Sequence, residues 1–234
     1  MTHRAGVDST GRLGVLGGTF DPVHYGHLDA AAAARSALGL SGILFMPSHD
    51  PPHRRLDPHA TAFHRFALVS LAIDGLPGYR ASDEELRRQG SSYTADTLRA
   101  LHAAGWSPSQ IFFILGADAF AEIATWHRFP EVLDAAHFAV VARPGTSLEA
   151  AADRTPALRG RIRTGADALD AARETGIILV EAVTRDVSST SIREHLSSGH
   201  SIDHLVPSSV ARHIAAHHLY RTDDQLHGKD LQST

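Results

Sequence analysis

Cysteine is absent from the 234 residues, and lysine occurs once, at Lys229. Without thiols there is no thiol nucleophile, thiolate zinc site, iron–sulfur cluster or disulfide. Without lysine in the body of the chain, Schiff-base chemistry and a lysine general base are excluded. A P-loop is excluded too, because the one Gly-Lys pair, Gly228-Lys229, is followed by Asp230 in place of Ser or Thr. Excess positive charge is also lacking: Lys+Arg 22 against Asp+Glu 26 leaves a net charge of -4. A nucleic-acid backbone held by counterion release is therefore not an expected partner. No apolar run approaches the roughly 18 residues of a membrane span, and Met1 to Arg12 has no hydrophobic signal core. The expectation is a cytoplasmic protein with no membrane partner.

Arginine and histidine are plentiful instead, with 17 His, so any phosphate chemistry must run on imidazoles, guanidinium groups, backbone amides and a metal brought by the phosphates. Hydrophobic residues at 43% and charged residues at 21% match an ordinary globular chain, and the length suits one domain. Short apolar runs predict strands at Leu13–Leu16, Ile43–Met46, Ile111–Leu115, Phe138–Ala142 and Ile177–Val180. Helical segments between them are expected at His27–Leu38, Ala60–Ile73, Thr94–Ala103, Pro130–Ala135, Thr190–Ser197 and Ser208–His218. The alternation points to an α/β fold, a Rossmann-like, doubly wound, mostly parallel sheet with helices on both faces. We divide the chain into an N-terminal extension (1–12), a domain over 13–221 and a polar tail (222–234). Within the domain, 146–176 reads as a surface insertion rich in Arg and Ala that carries a helix.

The most informative stretch follows the first strand: Gly17-Gly18-Thr19-Phe20-Asp21-Pro22-Val23-His24-Tyr25-Gly26-His27. Glycines after a buried strand let a backbone approach a phosphate closely. His24 and His27, three residues apart at a helix start, can face one anion at the positive helix end. A tight turn with a buried histidine would explain either His alone, but not the combination. The segment resembles the signature of the nucleotidylyltransferase superfamily, a Gly-rich turn followed by His-x-Gly-His, and specifically its nicotinate mononucleotide adenylyltransferase branch.

Five further segments, in the order of that branch, carry the resemblance. Pro51-Pro52-His53-Arg54 is a stiff loop that presents His53 and Arg54 beyond the second strand. Ser92-Tyr93-Thr94-Ala95-Asp96-Thr97-Leu98 precedes a helix, with Thr94 or Ser92 as its natural cap. Gly116 and Asp118 end the central strand, where a carboxylate can accept two ribose hydroxyls, and Thr125-Trp126 follows with a flat apolar face for a pyridine ring. Arg143-Pro144-Gly145 closes another strand. Val187-Ser188-Ser189-Thr190-Ser191-Ile192-Arg193 sets hydroxyls and Arg193 at a helix start, a second phosphate site.

The resemblance implies AMP transfer from ATP to nicotinate mononucleotide, with magnesium entering on the ATP phosphates and no protein-held metal. His24, His27 and Arg193 are the implied catalytic residues. Gly17, Gly18, Thr19, Phe20, Gly116, Asp118, Arg143, Ser188 and Thr190 complete the ATP site; His53, Arg54, Tyr93, Thr94, Asp118 and Trp126 hold the acceptor. The alternatives are a same-fold enzyme using nicotinamide mononucleotide or phosphopantetheine, and a nucleotide-sensing module without turnover. Homo-oligomer formation is left open. Among the other histidines, His213, His217 and His218 place imidazoles on one helical face without an evident third metal ligand.

Overall fold

The computed structural model describes residues 11–50, 58–163 and 174–221. Among these, seven strands form one sheet in which every pairing is parallel. In chain order the elements are β1 (Leu13–Gly18), α1 (Tyr25–Leu38), β2 (Gly42–Pro47), α2 (Ala62–Ala72), β3 (Tyr79–Ala81), α3 (Thr94–Ala103), β4 (Ile111–Gly116), α4 (Ala117–Ala121), β5 (His137–Ala142), α5 (Glu149–Arg154), β6 (Ile162–Arg163), β7 (Ile177–Glu181), α6 (Ser189–Ser197) and α7 (Ser208–Ala216). The strand order is β3-β2-β1-β4-β5-β7-β6. The chain winds outward from β1 to β3, then returns to lay β4 on the other side of β1. That reversal opens a crevice beyond the carboxyl ends of β1 and β4, where ligands bind in open α/β sheets.

A parallel sheet covered on both faces needs strands apolar on both sides, and the strands meet this need. Leu16, Phe45, Phe112, Ile114 and Ile178 pack one face against α1, α2, α6 and α7, with Leu38, Leu68, Ile192, Val210 and Ile214 buried beneath them. Leu13, Val15, Phe113, Phe138 and Val140 fill the other face with Leu98 and Leu101 of α3, Phe120 of α4 and Ala152 of α5. The alanines of α1 cost little in a helix, and Gly39 ends it in the left-handed conformation at φ 60°.

The five strands expected from the sequence are present, each longer by one or two residues. Two more exist: β3 of three residues and β6 of two, both too short to show a period. The 146–176 stretch therefore supplies an edge strand to the sheet besides its helix α5, and Leu148 and Leu158 from it are buried. The helix expected over Pro130–Ala135 is a 3₁₀ turn, Glu131–Asp134, its four residues too few for an α-helical ladder. His213 and His217 of α7 do find a third imidazole, His64 of α2, whose Nδ1 lies 3.1 Å from His213 Nε2. Among the described residues, however, no three such side chains are placed to hold a metal ion. Nor is any described helix long and apolar enough to cross a membrane.

Two positions on α2 separate burial from mere hydrophobicity: Leu68 is fully buried, whereas Phe63 is 85% exposed. Leu68→Ala is expected to lower the unfolding free energy by about 2–5 kcal/mol, and Phe63→Ala to change it by less than about 0.5 kcal/mol. Urea unfolding of both variants checks this.

Candidate active site

At the crevice the residues after β1, at the start of α1 and at the end of β4 enclose an open cleft of about 550 Å³. Gly17, Gly18 and Thr19, at the end of β1 and just beyond it, line it together with His24, His27, Gly116, Asp118 and Trp126. The two imidazoles stack, ring centroids 3.7 Å apart. His24 is the residue that caps α1, in extended conformation, and its backbone N–H donates to His27 Nδ1 at 3.3 Å. Burial drives the His24 pKa down to about 4, with Asp29 pulling weakly the other way, so the ring is neutral at pH 7. Its Nδ1 and the hydroxyl of Ser48, another cleft residue, are buried without a hydrogen-bond partner among the described residues. Buried polar atoms are seldom left unsatisfied; two on one cleft wall fit a polar ligand.

The loop that presents these groups is held from outside. Asp21, fully buried, accepts hydrogen bonds from the amides of His59 (2.8 Å) and Ala60 (3.0 Å) and from the Tyr220 hydroxyl (2.9 Å). Arg65, also buried, donates to the carbonyls of Thr19 (2.8 Å) and Ser48 (2.7 Å). Arg193 donates to the Asp21 carbonyl at 2.7 Å and to Thr190 Oγ1 at 3.2 Å. The Ser189 hydroxyl donates to the Pro22 carbonyl at 2.9 Å. The start of α6 is thereby pinned to the start of α1, with Val187 on the cleft wall.

The sequence-derived residues are distributed as follows. Gly17, Gly18, Thr19, His24, His27, Thr94, Gly116, Asp118 and Trp126 line the cleft. Phe20 does not: its ring is buried and packs edge-on against His27, 4.9 Å between centroids, because its positive φ of 51° turns the side chain into the core. Arg143 pairs with Asp186 at 2.8 Å, away from the wall. Ser188 caps α6, accepting from the Ser191 amide at 3.0 Å. Tyr93, and neither Ser92 nor Thr94, occupies the cap position of α3; its ring stacks on His127 at 4.3 Å. The Ser92 hydroxyl instead accepts from the His49 amide at 2.9 Å. His53 and Arg54 lie outside the described residues.

Several wall residues carry no sequence signal. Arg185 lies 3.7 Å over the Tyr25 ring and pairs with Asp29 at 3.2 Å, which sets a cation beside the first turn of α1. Glu85, from the connection between β3 and α3, is buried in the wall near Ser92 and Thr94. Neither stands in a motif; both reach the cleft through contacts distant in sequence.

Residues 15–195 match the family described as cytidylyltransferase-like. A probable nicotinate-nucleotide adenylyltransferase of Symbiobacterium thermophilum is 40% identical over 215 residues, covering 89% of this chain and 95% of that protein. A similarly named protein of Pseudomonas fluorescens is 40% identical over 213 residues, covering 90% and 97%. Among solved structures, a Plasmodium falciparum nicotinic acid mononucleotide adenylyltransferase complexed with NaAD superposes with a TM-score of 0.66 at 15% identity, over 90% of this chain and 97% of that one. The last comparison establishes likeness of fold.

Burial lowers His137, like His24, to about 4 from an ordinary 6.5. Between those values the unfolded chain binds protons that the folded chain refuses, so stability rises with pH across the window and is lost as pH falls through it. Unfolding midpoints at pH 5 and pH 7.5 should differ less in a His24→Gln/His137→Gln double variant than in the parent. Equal differences would show that neither ring is held neutral.

Proposed function

The chain belongs to the cytidylyltransferase-like family and, within it, to the nicotinate-nucleotide adenylyltransferases; on that premise we propose that it transfers AMP from ATP to nicotinate mononucleotide, releasing pyrophosphate and nicotinate adenine dinucleotide. The observation that carries this reading is the stacked His24–His27 pair at the start of α1, which lines one cleft together with Thr94 at the start of α3 and with Trp126.

The acceptor's phosphate is already an anion at neutral pH, so the step needs neither a general base nor a covalent intermediate. One acceptor phosphate oxygen forms a bond to the α-phosphorus as the bond from that phosphorus to the pyrophosphate oxygen breaks. Catalysis is then alignment plus stabilisation of charge. ATP enters as its magnesium complex. Its triphosphate lies at the positive end of α1, over Gly17, Gly18 and Thr19, with His24 and His27 donating to phosphate oxygens. A neutral His24 donates without repelling the nearby cations Arg185 and Arg193. Arg193, Ser188 and Thr190 at the start of α6 receive the departing pyrophosphate, and Arg193 at the same time keeps the Asp21 carbonyl in place. Asp118 accepts ribose hydroxyls. Thr94, Tyr93 and Trp126 orient the pyridine ring, with the amides of α3 favouring a ring carboxylate. Reaction in the cytoplasm, where ATP is abundant, suits this assignment.

Pyrophosphate release measured with ATP and, side by side, nicotinate mononucleotide, nicotinamide mononucleotide and phosphopantetheine tests the acceptor; release with none of them would make the protein a binding module. His27→Ala is expected to lower kcat about 10²–10³-fold with the unfolding midpoint unchanged, and near-normal turnover would remove His27 from the reaction. Trp126→Ala should raise KM for the mononucleotide about tenfold, the order of one aromatic stacking contact, with kcat little altered. An unchanged KM would give Trp126 a structural role, such as its packing against Phe113 and Phe138.

A further inference from the structure

The acceptor side of the cleft contains a buried carboxyl that the transfer step does not use. Glu85 lines the cleft with Ser92 and Thr94 and is only 7% exposed. The Thr97 hydroxyl of α3 donates to its Oε1. Arg88 donates to the same Thr97 oxygen at 2.6 Å and lies 3.7 Å from Glu85 Oε1. Ser92 completes the cluster, its hydroxyl bonding the Glu85 carboxyl while it accepts from the His49 amide. Glu85 thus sits beside the start of α3, which orients the acceptor in the function proposed above.

Burial raises the Glu85 pKa above the ordinary carboxyl range, against the pull of Thr97, Ser92 and Arg88. Among charged groups, Arg88 acts on it. Among the titratable groups of the surrounding elements, Asp118 of α4, His24 and His27 at the start of α1, and Arg185 also line the cleft, Tyr93 caps α3, and the His49 amide is bonded to Ser92. On α3 itself, Asp96 is paired with Arg99 at 2.8 Å. An ionised Glu85 beside a ring carboxylate would place two anions in one desolvated pocket, which raises the proton affinity of at least one of them.

We propose that Glu85 is the specificity-determining residue that couples acceptor charge to protonation: the acidic pyridine nucleotide binds with Glu85 carrying a proton taken from solvent, whereas the neutral carboxamide nucleotide binds whether or not Glu85 is ionised. The proposal rests on the acceptor reading above. No bond other than that to the proton changes, and the proton returns to solvent when the product leaves.

The test is the ratio of KM for nicotinate mononucleotide to KM for nicotinamide mononucleotide, from pH 4.5 to pH 9. The phosphate, the histidines and Asp118 affect both acceptors alike and cancel in the ratio. In the parent protein the ratio should rise with pH by about tenfold, the effect of one pKa unit of coupling. In Glu85→Gln, which keeps the shape and an acceptor for Thr97, it should stay within about twofold. A flat ratio in the parent, or an equal slope in Glu85→Gln, overturns the proposal. Turnover of neither nucleotide by the parent protein overturns the acceptor assignment instead, and the proposal with it. The parent's own profile decides the matter even where the variant fails to fold.

Discussion

The buried carboxylate of Asp21 is the contact on which the site's geometry depends. The loop between β1 and α1 is irregular, so its shape must come from its neighbours. Asp21 collects the amides that precede α2 and the Tyr220 hydroxyl beyond α7, and its own carbonyl receives Arg193 of α6. Arg65 performs the complementary task with a cation, gathering the carbonyls of Thr19 and Ser48. A buried charge with its bonding capacity filled tolerates little displacement. His24 and His27 inherit that rigidity, since they follow the anchored segment directly and start the helix it leads into.

Topology adds the second half of the site. Because the chain reverses between β1 and β4, helices from opposite faces of the sheet, α1 and α3, begin at the same edge. Each brings a positive end. In the proposed reaction one meets the polyphosphate and the other the ring carboxylate, so that a chain with net charge -4 would bind two anionic nucleotides through local fields without needing an overall positive surface. Neutral His24 and the buried Glu85 adjust these fields within the cleft.

What could be read from the sequence was whatever lies close together along it. The five expected strands, α3 with its limits at Thr94 and Ala103, and the His24 and His27 spacing are local patterns, and the structure holds them. Glu85, Arg185 and Arg65 were not legible, because each matters through partners in other segments, such as the 46 residues between Arg65 and Thr19. Strands β3 and β6 owe their conformation to pairing with β2 and β7, not to any periodicity of their own. Phe20 stands inside a motif yet points into the core, a consequence of backbone conformation that residue type does not announce.

The Tyr220 contact to Asp21 spans 199 residues. A chain emerging from the ribosome has its histidine-bearing loop within the first 27 residues, yet receives that loop's last tether only after almost the whole domain has been synthesised. Such a long closure is slow to reach and gains its stability only once the intervening elements have packed. The histidine pair therefore completes its setting at the end of folding, so that a partly made chain carries the signature of the site without its finished geometry.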